Sequence, residues 1–211
     1  MQISDIVELD KKRCKVYIDG EFAFVLYKGE LKTYSIKSGI DISAELYDEI
    51  LGTVLSKRAK LRAMNLLQKK DYTEKQLRDK LAEGLYPQDI VDEAIEYVRG
   101  YRYLDDERFV RDYVTYHMTT RSRNRIIQDL TQKGIKKEII IPILEEVYEE
   151  ENDSSGVSVE DEQIAKLLIK KHYSPEMDFK DKQKIMAFLL RKGYSMDSIR
   201  HVMECDSDYI P

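Results

Sequence analysis

Of the 211 residues, 36% are Asp, Glu, Lys or Arg and 42% are apolar, and the formal net charge is −5. That charge density, with only 9 Gly and 4 Pro, suits amphipathic helices with solvated outer faces and argues against an all-β protein. The apolar runs fall far short of a membrane span, and the opening MQISDIVELD lacks the basic start and apolar core of a secretory signal, so a cytoplasmic protein with no membrane contact is expected. Cys14 and Cys205 lie near opposite ends without C-x-x-C spacing and indicate neither a disulfide framework nor a zinc site.

In chain order, residues 1–50 read as a small β module with a short helical segment. RCKVYIDGEFAFVL is rich in β-branched and aromatic residues around Asp19-Gly20, the dipeptide favoured in a two-residue type I′ turn. This predicts a hairpin from about Arg13 to Leu26 with Tyr17 opposite Phe22, and ISDIVELD upstream can supply the third strand that a stable sheet needs. Sustained helix is predicted from Ser43 onward.

After residue 55 the sequence repeats. Gly84, Gly134 and Gly193 each separate two amphipathic segments, and an isoleucine stands six residues after each one, at Ile90, Ile140 and Ile199. Before the glycines, Leu77 and Leu81, Ile126 and Leu130, and Ile185 and Leu189 keep i, i+4 spacing, with one residue fewer before Gly84 than before the other two. A further helix precedes each pair, at about 57–69, 106–118 and 160–171. Three three-helix units follow, over residues 51–100, 101–150 and 159–211, with the acidic, Ser- and Gly-containing segment 151–158 as a flexible linker. Thr73 with Gln76 forms a capping-box pattern, Ser195 suits an N-cap, Pro87 fits a first helical turn, and each glycine suits a left-handed helix C-cap. Pro142, inside KKEIIIPILEEVY, should kink its helix unless that helix starts late.

No motif for phosphate cradling or acyl transfer is present, and nothing points to catalysis, a cofactor or a metal. Asp105 and Asp106, in YLDDERFV, precede an apolar periodicity of Phe109, Val110, Tyr113 and Val114; Asp105 sits where an N-cap belongs. The three histidines lack ligand spacing. Tyr97, Tyr101, Tyr103, Tyr113 and Tyr148 lie on or beside apolar helical faces, where core packing is the commoner role than base stacking. The net negative charge argues against bulk coating of nucleic acid, so local clusters matter more. Glu145 to Glu162 contains no Lys or Arg, whereas Arg121, Arg123 and Arg125 in TTRSRNR, and Lys57, Arg58 and Arg62, form two basic clusters suited to phosphates or carboxylates. A solvated basic turn that pairs with neighbouring acids is the plainer alternative for both.

YLDDERFVRDYV followed by RSRNRIIQDLTQKGI resembles the central signature of the RecX family, and the first and third units resemble its flanking repeats, together covering about Ser56 to Cys205. Leu104, Asp105, Asp106, Phe109, Gly84, Gly134 and Gly193 carry that signature as structural positions. The resemblance implies a mainly α protein, a tandem array of three-helix repeats forming an elongated curved rod behind the N-terminal β module. It implies a monomeric, non-enzymatic regulator that binds the RecA recombinase along the groove of the RecA–DNA filament and suppresses strand exchange, ATP hydrolysis and co-protease activity. Family members are often basic, and the acidity of this chain favours contact with RecA over strong direct contact with DNA. A helix-turn-helix DNA reader over Thr73 to Arg99 is the alternative, against which the tandem triplication argues.

Overall fold

The computed structural model describes residues 1–155 and 158–204. These fall into two units, Met1–Asp105 and the residues from Asp106 onward.

In the first unit, Asp19 (φ +50°) and Gly20 (φ +89°) both take left-handed conformations, as a type I′ turn requires. The turn joins β2 (Arg13–Ile18) to β3 (Glu21–Tyr27), and β1 (Ile3–Glu8) completes an antiparallel sheet of order β1-β2-β3. Tyr17 pairs with Phe22 across the hairpin, their rings edge-on at 5.9 Å. The next pair is Val16 with Phe24, so Ala23 is the extra residue of a bulge. After α1 (Lys28–Thr33), Ser43 caps α2 (Ala44–Glu49) by accepting from the Leu46 amide. The helix does not stop at Glu49: a π-helical stretch, Ile50–Leu55, carries it into α3 (Ser56–Leu67). Then come α4 (Glu74–Ala82), opened by the Thr73–Gln76 capping box, and α5 (Gln88–Gly100), for which Pro87 is the N-cap rather than a first-turn residue.

Sheet and helices of this unit bury one common core. Ile3, Val16, Phe24 and Leu26 from the strands join Ile50, Leu55, Ala59, Ala63, Leu77, Leu81 and Ile95 from the helices. Each large aliphatic side chain so buried contributes about 1.5–3 kcal/mol relative to its exposed state.

The second unit contains α6 (Asp106–His117), α7 (Arg123–Gln132), α8 (Lys137–Ser155), α9 (Val159–Lys170), α10 (Phe179–Arg191) and α11 (Met196–Glu204). Helix α6 begins directly after Asp105, and Ser195 accepts from the Ser198 amide at 3.0 Å to start α11. Its buried apolar residues form two clusters rather than one: Val110, Val114, Ile126, Leu130, Ile140 and Leu144 in the second repeat, and Ile164, Leu168, Leu189, Ile199 and Val202 in the third.

Several expectations are corrected. Gly134 and Gly193 have φ of +92° and +95°, but in the first repeat the left-handed residue is Leu85 (φ +58°), not Gly84. The cause is the missing residue: the left-handed position lies four after Leu130 and four after Leu189, and four after Leu81 is Leu85. Gly84 is needed for space instead, because a Cβ there would lie 2.6 Å from the ring of Tyr86. Pro142 lies inside α8, which starts at Lys137. Residues 151–155 of the expected linker are the last turns of α8, where a run of glutamates continues the helix, and 156 and 157 lie outside the described residues. So do residues 205–211 of the third unit. Of the tyrosines placed in the core, Tyr148 is fully buried, but Tyr101 and Tyr103 are 60% and 51% exposed, stacked on each other past the end of α5.

Candidate functional site: a basic cleft between the second and third repeats

The two basic clusters meet different fates. In the first unit, Arg58 is turned inward. Its guanidinium donates to the Val25 carbonyl (3.1 Å), pairs with Glu30 (2.5 Å) and stacks over the Tyr27 ring (4.6 Å), fastening α3 to β3 and α1. Arg62 donates to the Lys80 carbonyl (3.3 Å) in the last turn of α4, where a cation complements the negative helix end. Lys57 is exposed. The expected patch of Lys57, Arg58 and Arg62 is therefore two structural arginines and one surface lysine.

In the second unit, TTRSRNR forms the turn into α7, with Ser122 as N-cap accepting from the Arg125 amide. Arg121 and Arg125 converge on Asp129, whose side chain is only 9% exposed: Arg121 pairs with one carboxylate oxygen and Arg125 with the other at 3.2 Å. Arg121 also donates to the Tyr113 hydroxyl at 3.0 Å. Arg123 points elsewhere, stacking over the Tyr148 ring at 4.2 Å with its Nε 3.8 Å from Glu160. Burial of that carboxyl raises the Glu160 pKa, in spite of the nearby guanidinium.

Arg121 and Arg125 remain part-exposed and line an open cleft of about 530 Å³. Its other wall belongs to the third repeat: Lys166 and Leu167 of α9, and Arg191 and Lys192 at the end of α10. Five cations and no acid line the cleft, although the chain as a whole is acidic. The floor is ordered by buried polar groups. Gln163 donates to the Met118 carbonyl and accepts from the Tyr194 hydroxyl at 2.8 Å, and desolvation pushes that phenol up to about 12. Among the five cations, Arg121 and Arg125 share Asp129 and Lys166 pairs with Glu162, while the Arg191 guanidinium has no hydrogen bond or ion pair among the described residues. Such an arrangement has the donors and charge that suit oxyanions, and among its lining residues there is no nucleophile with an adjacent base. No group of three or more His, Cys, Asp or Glu among the described residues could hold a metal ion, and no described helix is long and apolar enough to cross a membrane.

Sequence reasoning found one wall of this cleft and missed the other. The signal was present: Lys192 precedes Gly193 as Lys133 precedes Gly134, so each of these helix ends carries a cation at its C-cap.

Comparison with known proteins gives the site its context. Family models for the first, second and third three-helix domains of RecX match residues 59–97, 105–140 and 159–203. The regulatory protein RecX of Caldanaerobacter subterraneus subsp. tengcongensis is 31% identical, covering 96% of this chain and 98% of its own, and that of Finegoldia magna is 31% identical over 93% and 96%. A crystal structure of a regulatory protein RecX matches with a TM-score of 0.64 at 25% identity over 96% of this chain and 98% of its own. RecX from Lactobacillus salivarius matches with a TM-score of 0.57 over 71% and 95%. With three repeats in the family order and full-length relatives, the chain belongs to the RecX family of regulatory proteins.

Proposed function

We propose that this protein regulates the RecA recombinase without chemistry of its own. It binds RecA as a monomer, lies along the groove of the RecA–DNA filament and lowers ATP hydrolysis, strand exchange and co-protease activity. The observation that carries this reading is the cleft of Arg121, Arg125, Lys166, Arg191 and Lys192 in a chain with a net charge of −5. An acidic chain is repelled by a polyanionic filament at long range, so attachment must come from a local concentration of cations that the fold assembles. Tandem repeats add further weak contacts, and several weak contacts along one filament multiply. The cleft can meet either carboxylates of RecA or phosphates of its DNA, and a weak direct DNA contact belongs to this reading.

The test is the DNA-dependent ATPase rate of RecA from the same organism, with co-sedimentation on RecA–DNA filaments. The protein should lower the rate at near-stoichiometric ratios, and the double variant Arg191→Glu, Lys192→Glu should raise the concentration needed by about tenfold or more, equivalent to about 1.4 kcal/mol. An unchanged rate without filament binding refutes the function; equal inhibition by the double variant refutes the site.

A further inference from the structure

The junction between the second and third repeats is polar. Their fully buried apolar residues form separate clusters, with only the half-buried Val159 of α9 packed against the second-repeat cluster among the described residues, whereas the β module and the first repeat share one. The hydrogen bonds that cross include Ser122 Oγ to the Lys192 carbonyl (2.8 Å), Asn124 Nδ2 to the Gly193 carbonyl (2.9 Å), Gln163 to the Met118 carbonyl, the Arg123 amide to Glu160 (3.4 Å) and the Val159 amide to Asn152 (3.0 Å). The Tyr148 hydroxyl there is buried with no partner among the described residues, and Glu160, its side chain 13% exposed, accepts from the Arg123 amide at 3.4 Å and meets the Arg123 guanidinium only at 3.8 Å. A contact built this way, mostly of polar bonds with little apolar burial, opens for less free energy than either repeat unfolds.

The cleft depends on that junction. Arg121 and Arg125 belong to the second repeat, and Lys166, Arg191 and Lys192 to the third, so the five cations converge only while the repeats are docked. Docking gathers like charges, which opposes closure; an anion between the walls reverses the sign of that effect. By linkage, whatever anion the cleft holds tightens the junction, and whatever loosens the junction weakens the anion.

We propose that the third repeat is a clamp that closes on the second around a phosphodiester strand, so that filling the cleft and docking the repeat are one event. This rests on the reading that the cleft is the anionic contact. A phosphodiester fits better than a carboxylate because of where the donors stand. A single carboxylate presents one pair of oxygens and suits a single guanidinium fork, whereas a phosphodiester strand presents successive anions in a row and can address both walls at once.

Hydrogen exchange of the full-length protein, with and without a 12-mer oligothymidylate at low salt, tests the clamp. Reporter amides are Arg123, which donates to Glu160 across the junction (3.4 Å), and Arg125, at the Ser122 cap. Both should be protected further by the oligonucleotide, while amides deep in α8 remain unchanged. Gly193→Ala places a Cβ 2.6 Å from Ser122 Oγ and wedges the junction; it should weaken oligonucleotide binding by about fivefold or more, the lower bound of ordinary site coupling. Asn124→Ala, which removes a junction bond without backbone strain, should weaken it in the same direction. Binding that leaves the reporter amides unchanged, or that is as tight in both variants as in the parent, overturns the clamp, and equal protection by poly-glutamate at the same charge concentration overturns the phosphodiester assignment. If RecA inhibition persists in those cases, the clamp alone has failed; if RecA is never inhibited, the regulatory reading has failed irrespective of the exchange data.

Discussion

Two short basic stretches, Lys57 to Arg62 and Arg121 to Arg125, carry similar charge and occupy similar places beside helices, yet the fold uses them differently. In the first unit the arginines are committed to the structure: Arg58 bolts the sheet to α3 through Glu30, the Val25 carbonyl and Tyr27, and Arg62 donates to the Lys80 carbonyl. In the second unit Arg121 and Arg125 lean on a buried carboxylate that holds their stems and leaves their outer edges in a cleft. The lesson concerns partners. An arginine whose acid lies on another layer of the core becomes a fastener, and one whose acid lies beneath it on the same surface becomes a presented cation.

The largest effect that can break this contrast is Arg58→Ala. It leaves Glu30 part-buried without its guanidinium, and should lower the stability of the first unit by about 2–3 kcal/mol, read as a lower midpoint in urea. A loss too small to measure would mean that Arg58 is not a fastener. Asp129→Asn comes next. It should destabilise the second unit by about 1–2 kcal/mol through the weakened hydrogen bonds, while freeing Arg121 and Arg125 to bind oligothymidylate more tightly; weaker binding would show that Asp129 positions these arginines more than it neutralises them.

Glu160→Gln acts in the opposite direction on stability. Burial raises the folded-state pKa of Glu160 above its unfolded value, with Arg123 of α7, Tyr148 of α8, Tyr194 and the neighbouring Asp161 facing it. A raised pKa means that stability is fully present below the ordinary carboxyl range and is lost as pH climbs through the folded value. The glutamine variant should therefore be more stable than the parent at neutral pH and less sensitive to pH between 4 and 7, as followed by thermal melts. The smallest effect belongs to Lys57→Ala, which should leave the urea midpoint where it is, since that side chain is exposed.

Local features of the fold were legible in the sequence because their causes are local. Asp19-Gly20 fixes a turn within four residues, Thr73 and Gln76 cap a helix within one turn, and the Leu–Gly spacing even encodes the displacement of the left-handed residue to Leu85. The site was legible only in part. Arg58 finds Glu30 across 28 residues, and the Ser122 turn finds Lys192 across 70, so neither commitment leaves a pattern in any short window. The exposed tyrosines show the same limit: Tyr101 and Tyr103 stand at helical spacing from apolar neighbours but fall beyond the end of α5, where the periodicity no longer points inward.

The π-helical stretch Ile50–Leu55 has a consequence for how this protein can be divided. Because the helix runs unbroken from Ala44 to Leu67, and Ile50 and Leu55 sit in the same core as Phe24 and Leu81, the β module has no seam at residue 50. It cannot be lifted off as a spare part. A chain beginning after it would start in mid-helix with an uncovered apolar face, and a β module transplanted onto another repeat array would need α3, with Arg58, to travel with it.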